Sequence, residues 1–169
     1  MAYKSLTTIV TSATEAQSVI APAATLAVAL DAHLEILALG IDRTQVGYSY
    51  VGGGGALLQI SMERAEAEAR EAEAAVRKAC GEQPADLRWS VESAVAQIGA
   101  LGDLVGLRAR FADLVVLPRP YGKGRGSEAE AVVEAALFEG QAPVLVLPGP
   151  ALATLPQRAV IAWNQSREA

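Results

Sequence analysis

The chain has 169 residues, 51% of them hydrophobic, and its 19 acidic against 14 basic side chains leave a net charge of −5. This is enough for one buried core with some chain to spare, and the acidic balance argues against nucleic-acid or anionic-membrane partners, which are held by clustered Lys and Arg. The longest apolar run, residues 19–30, is shorter than the roughly 20 residues of a bilayer span, the start shows no export leader, and the single Cys80 forms no internal disulfide, so a cytoplasmic, non-membrane protein is expected.

Thirty-four residues are alanine, which favours close helix-to-sheet packing. Residues 5–10, "SLTTIV", are rich in β-branched side chains and predict a strand. Ser12 and Glu15 stand at capping-box spacing ahead of a helix whose apolar positions are Val19, Ile20, Ala23, Leu26, Ala27 and Leu30. Pro22 is compatible with that helix only near its first turn or at a kink. "HLEILALGID", residues 33–42, predicts a buried strand, so strand, helix and strand make a βαβ unit with a parallel sheet. Residues 43–55 then read as a loop, its run of four glycines at 52–55 suited to a hinge or lid.

The next helix has Leu58, Met62, Ala65, Ala69, Ala72 and Val76 as its apolar stripe and ends at Gly81. Glu66 with Arg70 and Glu73 with Arg77 stand at the favourable i,i+4 spacing. A strand is expected over 86–94 and a second crossover helix over 95–110, where Gly99, Gly102 and Gly106 would let it approach the sheet closely. "ADLVVLP", residues 112–118, is the next strand, residues 127–139 the next helix with Ser127 and Glu130 as a capping box, and residues 143–148 the last strand. Five strands alternating with four helices predict an open, doubly wound α/β sheet with helices on both faces. Such sheets bind ligands beyond the carboxyl ends of their strands.

Between the fourth strand and the fourth helix lies "PYGKGRGSEAE", residues 120–130. A glycine-rich turn from strand to helix can aim backbone N–H groups at an anion. The spacing here is G-x-G-x-G, which is neither the dinucleotide fingerprint nor the P-loop. A flexible basic surface loop is the preferred reading, since short glycine motifs often match by accident. No catalytic set and no metal site emerge elsewhere: His33 opens a buried strand, and Cys80 sits in the last turn of a helix, where the dipole does not lower a thiol's pKa. Glu63, Glu66, Glu68, Glu71 and Glu73 spread around a helix as a solvated face, and Asp113 is placed to cap the turn before its strand.

Residues 149–157 read as a linker, and "RAVIAWNQSREA", residues 158–169, as a strand leading into a helix. It echoes the opening "LTTIVTSATEA". The order of elements over residues 3–148, the strands "ADLVVLP" and "PVLVLP", the stretch "EAALFEGQA" and the closing "VIAWNQSREA" resemble the universal stress protein family, in its tandem-domain form. The resemblance implies a universal stress domain at 1–148 and the first strand of a second one at 158–169. It also implies a homodimer through the edge strand bounded by Pro143 and Pro148, or through the C-terminal strand.

Many members of that family bind ATP through G-x-x-G-x9-G-[ST] after the fourth strand, with an aspartate ending the first. Here Thr11 falls at the aspartate. Counting back from Pro143 and Val144, the distal Gly-Ser pair falls on Glu130 and Ala131 and the preceding glycine on Pro120, with Gly122 or Gly124 nearby. In the second copy Asn164 and Gln165 replace the aspartate and glycine, while Ser166 and Ala169 agree. The candidate site is therefore a degenerate phosphate loop, Thr11, Gly122, Lys123, Gly124, Arg125, Gly126 and Ser127. The expected function is a non-catalytic stress-response or regulatory module with no cofactor. The alternative is an adenine-nucleotide-binding or hydrolysing enzyme, or a cofactor carrier, taking ATP or AMP.

Overall fold

A computed structural model describes residues 3–44, 54–122, 126–148, 158 and 160. Residues 45–53 of the expected loop, the linker 149–157 and nearly all of the expected C-terminal strand lie outside the described residues, whereas Gly54 and Gly55, expected in that loop, open a helix instead.

The elements are β1 (Ser5–Val10), α1 (Ala16–Ala29), β2 (His33–Asp42), α2 (Gly54–Gly81), β3 (Arg88–Gln97), α3 (Leu101–Ala109), β4 (Leu114–Pro118), α4 (Ser127–Phe138) and β5 (Val144–Leu147). All five strands pair in parallel in the order β3-β2-β1-β4-β5. Alternate residues of each strand face opposite sides, and both sides are covered. Leu6, Val10, Leu34 and Ile36 pack under α1 and α2. Ile9, Leu37, Leu39, Val115 and Leu117 pack under α3 and α4. This is the expected doubly wound sheet, with β5 at one edge as expected and β3 at the other.

Several local expectations give way to packing. Ser12 caps a short 3-10 turn, Ala13–Glu15, by accepting from the Thr14 amide, and α1 follows it. Pro22 therefore lies inside α1, where it is buried. β3 runs on to Gln97 because its whole length pairs with β2, so α3 is much shorter than the expected 95–110. Gly106 does not serve approach to the sheet: a Cβ there would come within 2.5 Å of Glu139 Cβ, which places the close contact between α3 and the end of α4. α4 is capped by Gly126 with no side-chain hydrogen bond, so the Ser127–Glu130 capping box does not form.

In α2 the stripe of Ala65, Ala69, Ala72 and Val76 is buried, but Met62 is exposed because the first turns project past the sheet. The Glu66–Arg70 and Glu73–Arg77 pairs form, at 3.5 and 2.7 Å. Asp113 does not cap the turn before β4; its carboxylate accepts from the Lys4 and Ser5 amides and so anchors the start of β1. Cys80 is buried in the core, and burial pushes its thiol up to about 11.

Candidate functional site

The chain leaves β1 toward α1 on one face and leaves β4 toward α4 on the other, and β1 and β4 are neighbours. Their divergence opens a crevice at the carboxyl ends of the strands, the usual ligand position in this architecture. A cleft of about 260 Å³ lies there. Ile9, Leu117, Pro118, Val132 and Val133 supply apolar lining. Thr11, Ser12, Thr14, Glu15, Arg43, Gly126 and Glu128 supply the polar atoms.

Arg43 follows the last residue of β2 and crosses to two helices. Its Nε donates to Glu128 Oε1 at 2.5 Å and its Nη2 to Glu128 Oε2 at 3.0 Å, a two-pronged pair with the first turn of α4. Its Nη1 donates to Glu68 Oε2 of α2 at 2.8 Å. These bonds, Glu128 first and then Glu68, raise the Arg43 pKa further above its ordinary value. Burial opposes ionisation of Glu68, yet hydrogen bonds and charge from Arg43 and Arg64 hold its carboxyl below the ordinary value. Glu68 is therefore part of a network rather than of a freely solvated face.

Asp42 sets where Arg43 begins. Its buried Oδ1 accepts from Ser61 Oγ, Thr44 Oγ1 and the Thr44 amide, tying the end of β2 to α2. Those bonds, that of Ser61 first, lower its pKa from 3.8. A folded value below the unfolded one contributes stability that is complete above about pH 4 and is lost as pH falls through the folded value. Asp42→Asn is accordingly expected to flatten the acid limb of a stability-against-pH curve below about pH 4. Urea midpoints measured from pH 6 downward check this, and parallel curves for the two proteins would refute it.

Of the residues the sequence singles out, the structure brings Thr11 and Gly126 to the cleft. Thr11 Oγ1 donates to Glu15 Oε1 at 2.9 Å. Gly122, at φ 126°, and Ser127 are not among the lining residues, and Lys123, Gly124 and Arg125 lie outside the described residues. The Gly-Ser pair that opens α4 is Gly126 and Ser127, one turn ahead of the Glu130 and Ala131 reached by counting. Arg43 is the residue that sequence reasoning missed. An arginine after a strand carries no local signal, and its partners are far along the chain.

Among the described residues no cluster of three or more His, Cys, Asp and Glu could hold a metal ion, and no helix is long and apolar enough to cross a membrane. No family model matches the chain, and no curated protein matches it. Among solved structures it is similar to a protein from the universal stress protein family of Burkholderia pseudomallei, at 19% identity and a TM-score of 0.48, covering 85% of this chain and 96% of that one. At that distance the cleft has to be judged on its own geometry.

Proposed function

We propose that the protein is a non-catalytic regulatory module of the universal stress type, whose cleft does not hold the triphosphate of ATP tightly. The sequence resemblance and the doubly wound sheet support the type. The observation that carries the statement about the cleft is the Arg43–Glu128 pair. The cation that lines the described part of the cleft is already engaged by two carboxylates. A phosphate chain arriving at α4 meets Glu128 and Glu130 in the first turn, where the positive end of the helix dipole is already used.

The apolar lining favours a flat ring over a polyanion, which supports a second reading: an adenine nucleotide with few phosphates. Calorimetry with ATP and AMP tests both. The expected order is AMP equal to or tighter than ATP, with ATP weaker than micromolar. Micromolar ATP affinity that is lost in Gly124→Val and Gly126→Val would overturn the proposal.

The same proposal includes self-association. Among the described residues β5 has no strand on its outer side, and its Val144, Leu145, Val146 and Leu147 carry no charge to discourage strand pairing. A dimer joined there is expected by light scattering at micromolar concentration, and a stable monomer would count against it.

A further inference from the structure

A second groove, of about 250 Å³, opens on the α3 and α4 side of the sheet, away from the cleft. Both helices cover β1, β4 and the end of β2, but Glu35, Ser90 and Glu92 on β2 and β3 stay exposed. Register places Thr7, Glu35 and Ser90 side by side across three strands. Arg108 of α3 lines the other side, its Nη2 paired with Glu92 Oε1 at 2.5 Å.

Two residues that line this groove each carry a buried polar atom without a partner, Thr7 Oγ1 and Arg108 Nε. Thr7 is 2% exposed. The contrast with its neighbour is informative, since Thr8 Oγ1, on the opposite face, donates to the Val116 carbonyl at 2.7 Å. Folded proteins rarely leave buried polar atoms unpaired, and two around one groove call for an occupant carrying oxygen acceptors. Glu35 has no hydrogen-bond or ion-pair partner among the described residues, so its carboxylate is open to a cation.

We propose that this groove binds a small zwitterion of α-amino-acid size, its ammonium against Glu35 and its carboxylate against Arg108. Glu92 holds Arg108 only through Nη2, so the groups left open are the unpaired Glu35 carboxylate and the Arg108 Nε–H, one for an ammonium and one for a carboxylate oxygen. The volume fits too, being below the roughly 300 to 1,000 Å³ of sites for drug-sized ligands. A carboxylate oxygen drawing Arg108 onto itself would give Nε its missing acceptor, and Ser90 Oγ, which meets His33 Nε2 at 2.8 Å, stands beside the ammonium position.

The test is a titration of the whole chain with the common L-α-amino acids, each to millimolar concentration, followed by calorimetry and by backbone amide NMR. At least one is expected to bind with a millimolar or tighter Kd. The shifts should centre on Thr7, Glu35 and Ser90 and leave Thr11 and Gly126 unmoved, which separates this groove from the cleft. Glu35→Gln, at an exposed position and therefore compatible with folding, should weaken binding at least tenfold. Arg108→Lys, which keeps the charge but removes Nε–H, should weaken it likewise. The matched amine without its carboxylate, and the acid without its amine, should each bind at least tenfold more weakly. No binding by any amino acid would show a groove filled by water alone and overturn the proposal. Shifts centred on the cleft, or an unchanged Kd in Glu35→Gln, would overturn it equally.

Discussion

Replacing Gly40 by valine is expected to destabilise the fold by about 3 kcal/mol or more, a large part of the roughly 5 to 15 kcal/mol that holds a domain together. Gly40 lies in β2 directly beneath α2. A Cβ at this position would overlap the Ala65 carbonyl oxygen and come within 3.1 Å of Ala69 Cβ. The obstacle is backbone, so no rotamer change relieves it, and α2 must lift from the sheet. Lifting α2 also separates Ala65, Ala69 and Ala72 from the core they close. Urea unfolding of Gly40→Val measures the loss. Gly55→Ala is the control, because a Cβ there meets nothing within 4 Å and should change stability by no more than about 1 kcal/mol, in the stabilising direction. A Gly40→Val midpoint equal to that of the original protein would show that α2 and β2 are not in this contact.

The second large effect concerns the cleft. Glu128→Gln is expected to improve ATP affinity at least tenfold. A carboxylate about 5 Å from a phosphate at an effective dielectric of about 20 costs about 3 kcal/mol. Solvent screening at the half-open cleft reduces this, and about 1.4 kcal/mol is enough for a factor of ten. The substitution removes that repulsion and also weakens the hold on Arg43, which is then available to a phosphate while still tethered to Glu68. Folding should change by about 1 kcal/mol or less, the value of a partly exposed ion pair. Calorimetry with ATP on both proteins decides the matter. An unchanged Kd would mean that ATP does not approach the start of α4, and the electrostatic account of the cleft would fall.

The strands and helices were legible in the sequence wherever apolar periodicity ran unbroken. β2 was bounded correctly because its ten residues are flanked by turn signals and buried along most of their length. β3 was placed too short and α3 too long, because "AVAQIGALG" carries no periodicity of its own and pairing with β2 decides where the strand stops. Thr11 and Gly126 line the cleft, the first singled out by the family resemblance and the second by the glycine-rich loop before α4. Arg43 was not singled out, since it meets Glu128 eighty-five residues away. The chain's own Gly-Ser pair, Gly126 and Ser127, stands where α4 begins, a boundary set by the helix and not by counting back from β5.

The order of amino acids is enough to set the alternation of five strands with four helices, and hence a parallel sheet covered on both faces, because side-chain periodicity is a local property of the chain. That order also gathers Gly, Lys and Arg between β4 and α4. Which side chains face each other across the cleft follows from the packing of distant elements. That packing joined Arg43 to both Glu68 and Glu128, placed Gly40 against α2, and left Thr7 and Arg108 with unpaired polar atoms around one groove. Such contacts depend on strand order and on how closely each helix settles onto the sheet. Neither quantity is encoded within reach of any single stretch of residues.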